Sequence, residues 1–203
     1  MRATVEFGDV TAIVGNDGVA RAWWHDVPGA SEAVVTMGGV GNDPTGPSQI
    51  YPALAGRLRA DGVATLRIEY RHPGHLGACV ADVHAAVGFL VAREIRRVLL
   101  VGWSFGGAVA IAAGVTDDSV AGVATIASQT FGADAVSRLS PRALLLVHGT
   151  GDQILPPVLS ERLYAAAGDP RQLVLYDGDD HAIGRHRLDL VELLGGWVAD
   201  LRA

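Results

Sequence analysis

Cysteine is almost missing from this chain: Cys79 is the single one in 203 residues, so no internal disulfide framework exists and a reducing compartment is implied. The lone cysteine is read as a small buried residue and not as a reactive thiol. Charge is also scarce, at 19% of residues, and the surplus is acidic, with a net charge of −6. That balance excludes a basic groove for nucleic acid and a basic patch for a membrane surface. No uninterrupted apolar run reaches the ~18 residues of a membrane span. Residues 1–10 include acidic and polar side chains and have no apolar stretch flanked by cations, so no secretory signal is read there. A soluble, cytoplasmic protein is expected.

Hydrophobic residues make up 49% of the chain, which fits a sheet covered on both faces. The length suits one domain over residues 1–203, large enough to bury about 70% of its unfolded surface. Residues 4–14 and 19–25 are strand-like and joined by Gly15-Asn16-Asp17-Gly18, residue types that accept positive φ, so an antiparallel edge hairpin is expected. Short apolar strands follow at 33–37, 64–69, 98–102, 120–126, 143–147 and 172–176. Between them helices are predicted over 48–61 (apolar at Ile50, Leu54 and Leu58), 78–94 (Val80, Val83, Val87 and Leu90), 105–114, 132–139, 158–167 and 188–201. Strand and helix alternate to the end, which argues an α/β fold: a doubly wound, mostly parallel sheet with helices on both faces.

Val98-Leu99-Leu100-Val101, bounded by Arg96 and Arg97, runs into Gly102-Trp103-Ser104-Phe105-Gly106, where an Ala- and Gly-rich helix begins at once. Reversal from strand to helix over so few residues holds Ser104 in a strained backbone conformation, and glycine at 102 and 106 removes Cβ atoms that would collide. The hydroxyl is lifted above the sheet, where the Phe105 N–H and the helix N-terminus stabilise negative charge. A serine hydroxyl is a poor nucleophile at neutral pH. It needs a base, which needs an orienting carboxylate.

With this Gly-x-Ser-x-Gly elbow the chain resembles the α/β-hydrolase family, and within it the small, lid-free branch of dienelactone-hydrolase-like proteins and small carboxylesterases. The family order is serine, acid, histidine on successive strand ends. His148-Gly149-Thr150-Gly151-Asp152-Gln153-Ile154-Leu155-Pro156 resembles its acid loop, which implies Asp152 as the acid; His148 is read as satisfying local hydrogen bonds. Tyr176-Asp177-Gly178-Asp179-Asp180-His181 stands where the family carries its histidine, which implies His181 as the base, with His186 second. Asp177, Asp179 and Asp180 read as a solvated turn. Met37-Gly38-Gly39-Val40-Gly41 occupies the place of the second oxyanion amide; Gly39 is preferred, with Gly38 and Val40 left open. Residues 127–142, about sixteen, are too few for the lid that usually enters there, so no cap domain is expected. Serine stands where dienelactone hydrolase carries cysteine, so the resemblance implies esterase chemistry without the lactone substrate.

The resemblance thus implies a serine hydrolase acting on small-molecule, short-chain carboxylic esters through an acyl-enzyme, with no cofactor. Ser104 attacks, His181 moves the proton, Asp152 orients it, and the Phe105 and Gly39 amides hold the oxyanion. Without a cap, the substrate pocket is expected from the loops around Met37, Tyr51, His72 and Trp103. His72, His75 and Cys79 have a ligand-like spacing, but zinc needs a further ligand or an open position, and Pro73 and Gly74 suggest an exposed loop, so no metal is assigned. Gly39-x-Gly41 lacks the third glycine of the dinucleotide fingerprint. The rivals are a thioesterase or acyltransferase with the same triad, and a hydrolase-fold receptor with little turnover; an intact triad argues against a pure binder.

Overall fold

The computed structural model describes residues 9–15 and 18–202. Its elements run β1 (Asp9–Gly15), β2 (Gly18–His25), β3 (Glu32–Met37), α1 (Ile50–Ala60), β4 (Ala64–Ile68), α2 (Leu76–Val91), β5 (Arg97–Trp103), α3 (Phe105–Thr116), β6 (Val120–Ile126), β7 (Ala143–Gly149), α4 (Val158–Ala166), β8 (Arg171–Tyr176) and α5 (Arg187–Asp200). One eight-stranded sheet has the order β1-β2-β4-β3-β5-β6-β7-β8. β1 and β2 pair antiparallel, as do β2 and β4; every other pair is parallel. The expected edge hairpin is therefore present; residues 4–8 and its turn residues Asn16 and Asp17 lie outside the described residues.

The central strands are apolar without a break because each face of the sheet is covered. Along β5, Val98 and Leu100 enter one core while Leu99 and Val101 enter the other, the alternation a pleated strand imposes. Leu54 and Leu58 of α1 and Leu190 and Leu194 of α5 close the second core. Val83 and Val87 of α2, Val109 of α3 and Leu163 of α4 close the first. No helix among the described residues is long and apolar enough to cross a membrane.

The segment expected as a helix over 132–139 is corrected to a single 3-10 turn, Val136–Arg138. Successive amides there bond three residues back, as in Val136 N–H to Ala133 O and Leu139 N–H to Val136 O. The reason lies in the spacing of the buried anchors: Ala133, Val136 and Leu139 repeat every three residues, the period of the tighter helix. Only this turn stands between β6 and β7, and no separate cap domain is present among the described residues.

Strand order places the site. From β3 the chain moves one way to β4, and from β5 it moves the other way to β6. The loops leaving β3 and β5 therefore diverge and leave a crevice at their carboxyl ends, the place where open α/β sheets bind ligands.

Candidate active site

Ser104 sits between β5 and α3 with φ 57° and ψ −119°, a conformation that costs a non-glycine residue free energy. Its surroundings enforce it. A Cβ on Gly102 would lie 2.0 Å from the Gly106 carbonyl oxygen, and one on Gly106 would lie 2.4 Å from that of Gly38, so both glycines are required by the close approach of backbone to backbone. The Ser104 N–H donates to Ile126 O at 2.8 Å, and the Gly107 N–H to Ser104 O at 3.0 Å. These bonds fix the elbow from both sides.

Beside it runs the loop that leaves β3. A Cβ on Gly39 would lie 3.4 Å from Ser104 Cβ and 3.8 Å from its Oγ, whereas one on Gly38 would meet the Asp43 backbone. Gly39 is thus the glycine that faces the serine. The amides of Phe105, Gly39 and Val40 have no hydrogen-bond acceptor among the described residues. Asn42 holds the loop in place: its side chain donates to Tyr70 O at 2.9 Å and accepts from Tyr70 N–H at 2.6 Å, while its own amide closes a turn on Gly39 O at 3.0 Å.

The loops after β7 and β8 are joined to one another, which is why Asp152 and His181 meet across 29 residues of sequence. Gly151 N–H donates to Asp179 O at 2.8 Å, and Gly178 N–H to Thr150 Oγ1 at 2.7 Å. His181 Nδ1 then lies 2.7 Å from Asp152 Oδ2. The other oxygen, Oδ1, accepts the amides of Ile154 and Leu155 at 2.8 and 3.0 Å. Burial alone would raise the Asp152 pKa, but the His181 hydrogen bond and the two amides outweigh it and hold the carboxyl below its ordinary value. An ionised acceptor at Nδ1 fixes the tautomer that leaves His181 Nε2 free to take a proton.

Trp103 links this pair to the elbow. Its indole N–H donates to His181 O at 3.0 Å, and the two rings stand 5.4 Å apart. Among the described residues no hydrogen bond joins Ser104 Oγ to His181 Nε2; such bonds are commonly long before a substrate occupies the site.

Two expectations about the substrate pocket are corrected. Met37 and Tyr51 are fully buried, and the Tyr51 hydroxyl donates to Met37 O at 2.9 Å. They support the loop from beneath and offer a substrate no surface. His72 is exposed and lines a cleft of about 450 Å3 with His75, Leu76, Gly77 and Ala78, which includes none of Ser104, Asp152 and His181. Cys79 is buried and its thiol donates to His72 O at 3.3 Å; burial pushes its pKa up to about 11. Among the described residues no group of three or more His, Cys, Asp or Glu could hold a metal ion.

Other side chains took places that sequence reasoning did not assign. Val40, Phe131 and Ile154 are exposed apolar residues, carried by the loops that leave β3, β6 and β7 at the carboxyl edge of the sheet. Asp179 is no solvated turn residue. It is buried, and it accepts the amides of Asp180, Arg185 and His186 and the Nδ1 of His186. His186, stacked on Tyr176 at 4.8 Å, is thereby committed elsewhere. Fully buried His148 lies against Asp152, with Nε2 3.1 Å from Oδ2.

No family model matches the sequence. Over 109 residues it is 32% identical to YfhR, an uncharacterized protein of Escherichia coli K12, a match covering 42% of this chain and 38% of YfhR. The chain thus spans under two thirds of the length of the curated relatives it matches. A dienelactone hydrolase from Anabaena variabilis superposes with a TM-score of 0.84 at 18% identity, over 95% of this chain and 96% of that one. The esterase domain of a Rhodothermus marinus protein does so with 0.77 at 22% identity, over 93% and 96%. At such identities the likeness shows the fold.

Proposed function

From the α/β-hydrolase fold this chain shares with those structures, we propose that it is a serine hydrolase cleaving short-chain carboxylic esters. The observation that carries the reading is the 2.7 Å contact of His181 Nδ1 with buried Asp152, set beside a serine held at positive φ at the head of a helix. His181 Nε2 accepts the Ser104 proton as Oγ attacks the ester carbonyl, and the negative charge that develops falls between the unpaired amides of Phe105 and Gly39. The tetrahedral adduct collapses as His181 returns the proton to the leaving alcohol. Water then enters by the same route, deprotonated by His181, and releases the acid.

An open crevice without a cap favours water over a competing alcohol or thiol as acceptor, which supports hydrolysis over acyl transfer. The buried lone cysteine supports a reducing, cytoplasmic setting. A receptor has no use for a strained serine, since the strain costs stability and contributes nothing to binding. Incubation with a fluorophosphonate probe tests the proposal: the expected result is one covalent adduct on Ser104, lost in Ser104→Ala. Equal labelling of the variant would overturn it.

A further inference from the structure

Asp152 Oδ2 serves two imidazoles. His181 Nδ1 approaches at 2.7 Å and His148 Nε2 at 3.1 Å. His148 Nε2 also lies 2.9 Å from Leu155 O, and because a carbonyl oxygen only accepts, the ring proton of the neutral imidazole sits on Nε2. Its Nδ1 is then an acceptor, and it faces Ser160 Oγ at 2.7 Å. His148 and Ser160 are both fully buried. Ser160 comes from the first turn of α4 and His148 from β7, so the chain of bonds ties Asp152 to rigid elements. Neither residue has any surface for a substrate.

We propose that His148 is a positioning residue for Asp152, and that the Ser160–His148 pair sets how strongly the carboxylate draws on His181. The proposal rests on the serine-hydrolase reading above. The His148 Nε2–H, shared between Leu155 O and Asp152 Oδ2 as a three-centre bond, spreads part of the carboxylate charge that would otherwise act on the His181 proton and holds the carboxylate plane toward the His181 ring. Ser160 donating to Nδ1 polarises the ring and strengthens the Nε2–H bond. Without the His148 donor two things follow: Asp152 gains rotational freedom, and its full charge falls on His181, which favours imidazolium. The first slows reaction; the second moves the acid side of the pH profile upward. A purely structural filler would lower stability and leave that profile in place.

Other charged groups near His181 do not change in this comparison. Asp179 and Asp180 on its own loop, and Arg185, His186 and Arg187 beyond it, are present in every variant. From β5 the packed group is the Trp103 indole, which does not titrate. The decisive experiment measures the second-order rate of fluorophosphonate labelling against pH for four proteins: wild type, His148→Phe, His148→Gln and Ser160→Ala. Phe keeps the ring and removes the donor, whereas Gln restores an N–H near the position of Nε2. His148→Phe should label about 10- to 100-fold more slowly, with the acid-side midpoint raised by about half a pH unit or more. His148→Gln should stay within about threefold of wild type with an unmoved midpoint, and Ser160→Ala should shift it in the same direction as Phe by a smaller amount. If His148→Phe does not fold, Ser160→Ala carries the test. Profiles of folded variants that superimpose on wild type would overturn the proposal. An unlabelled wild type would instead overturn the serine-hydrolase reading. The pairing with Asp152 would then still be read by proton NMR, where His148→Phe should lose one downfield imidazole N–H signal and keep those of His181 and His186.

Discussion

A Cβ placed on Gly106 would lie 2.4 Å from the carbonyl oxygen of Gly38. The start of α3 thus rests directly on the loop leaving β3, and the two halves of the site, elbow and Gly39 loop, are spaced by glycine alone. Gly106→Ala should push them apart, costing about 2–3 kcal/mol as an overpacked contact. For a chain of this size that lowers Tm by roughly 5–10 °C. Fluorophosphonate labelling should fall at least tenfold even where the protein is folded. Unchanged Tm and labelling would mean that the loop yields freely.

Asp152 on the loop after β7 and Asp179 and Asp180 on the loop that carries His181 differ in what they hold. Asp152→Asn should lower kcat by on the order of 10³- to 10⁴-fold, because an amide cannot fill four acceptor contacts and the imidazole loses its orientation. Asp179→Asn places an N–H₂ against donors, so it should cost about 2 kcal/mol of stability and up to about tenfold in kcat through the loop. Asp180 is exposed, and among the described residues its carboxylate accepts only the Ala182 amide, so its change to Asn should cost less than about threefold. Kinetics and urea melts on the three variants decide the order. Asp179 also has an acid signature: burial raises its pKa, but the His186 contact and three amides hold it below the ordinary value. Its contribution to stability is therefore present above the unfolded carboxylate value and lost as pH falls through the folded one.

A second pH effect lies away from the site. His25 ends β2 beside Thr65 of β4, is buried and accepts the Arg67 Nε–H at 2.9 Å, and burial first, then the charges of Arg67 and Arg59, push its pKa down from 6.5 to about 4. The unfolded chain binds this proton more readily, so stability is complete above about 6.5 and falls toward pH 4, by ~3 kcal/mol in all. His25→Gln keeps an acceptor for Arg67 and cannot titrate in this range. Urea unfolding between pH 4.5 and 7 should show a flatter profile for the variant; parallel profiles would refute the assignment.

How far the sequence spoke for itself depends on how local each feature is. The strands through Val98–Val101 and Leu144–Val147 and the glycines around Ser104 are legible because apolar runs and elbow sterics are local. Asp152 and His181 were found through motif order on successive strand ends. Asp179 reads as a solvated turn residue and His148 as a local hydrogen-bonding one, and the contacts of Asp179 and the Asp152 contact of His148 stay hidden because they are set by the joining of two loops some 28 residues apart. Met37 and Tyr51 misled for a related reason. Their places in the chain flank the crevice, but side-chain direction sends both into the cores. The segment 132–139 carried apolar residues at a spacing of three, which was the signal for a 3-10 turn and was read as a helix.

The last prediction concerns substrate size. A long acyl chain is bound mainly by apolar area, at about 25 cal/mol per Å2 buried, and that area must come from a cap or a deep cleft. Between β6 and β7 stands only the turn Val136–Arg138, so no cap among the described residues folds over the crevice. Apolar contact at the carboxyl edge comes from Val40, Phe131 and Ile154, which are 62%, 78% and 70% exposed and stand on separate loops. They can cover the first few methylenes of an acyl group, each contributing up to ~0.8 kcal/mol; further methylenes project into water and contribute little. Accordingly kcat/KM should peak between acetyl and hexanoyl esters and decline beyond, with no activation at a lipid interface. Phe131→Ala should lower kcat/KM for hexanoyl more than for acetyl esters, because the acetyl group is too short to reach the removed ring. A nitrophenyl ester series from two to sixteen carbons, run on wild type and this variant, decides it: a maximum at twelve carbons or longer would require a deep apolar cleft beside Ser104 that these loops do not form.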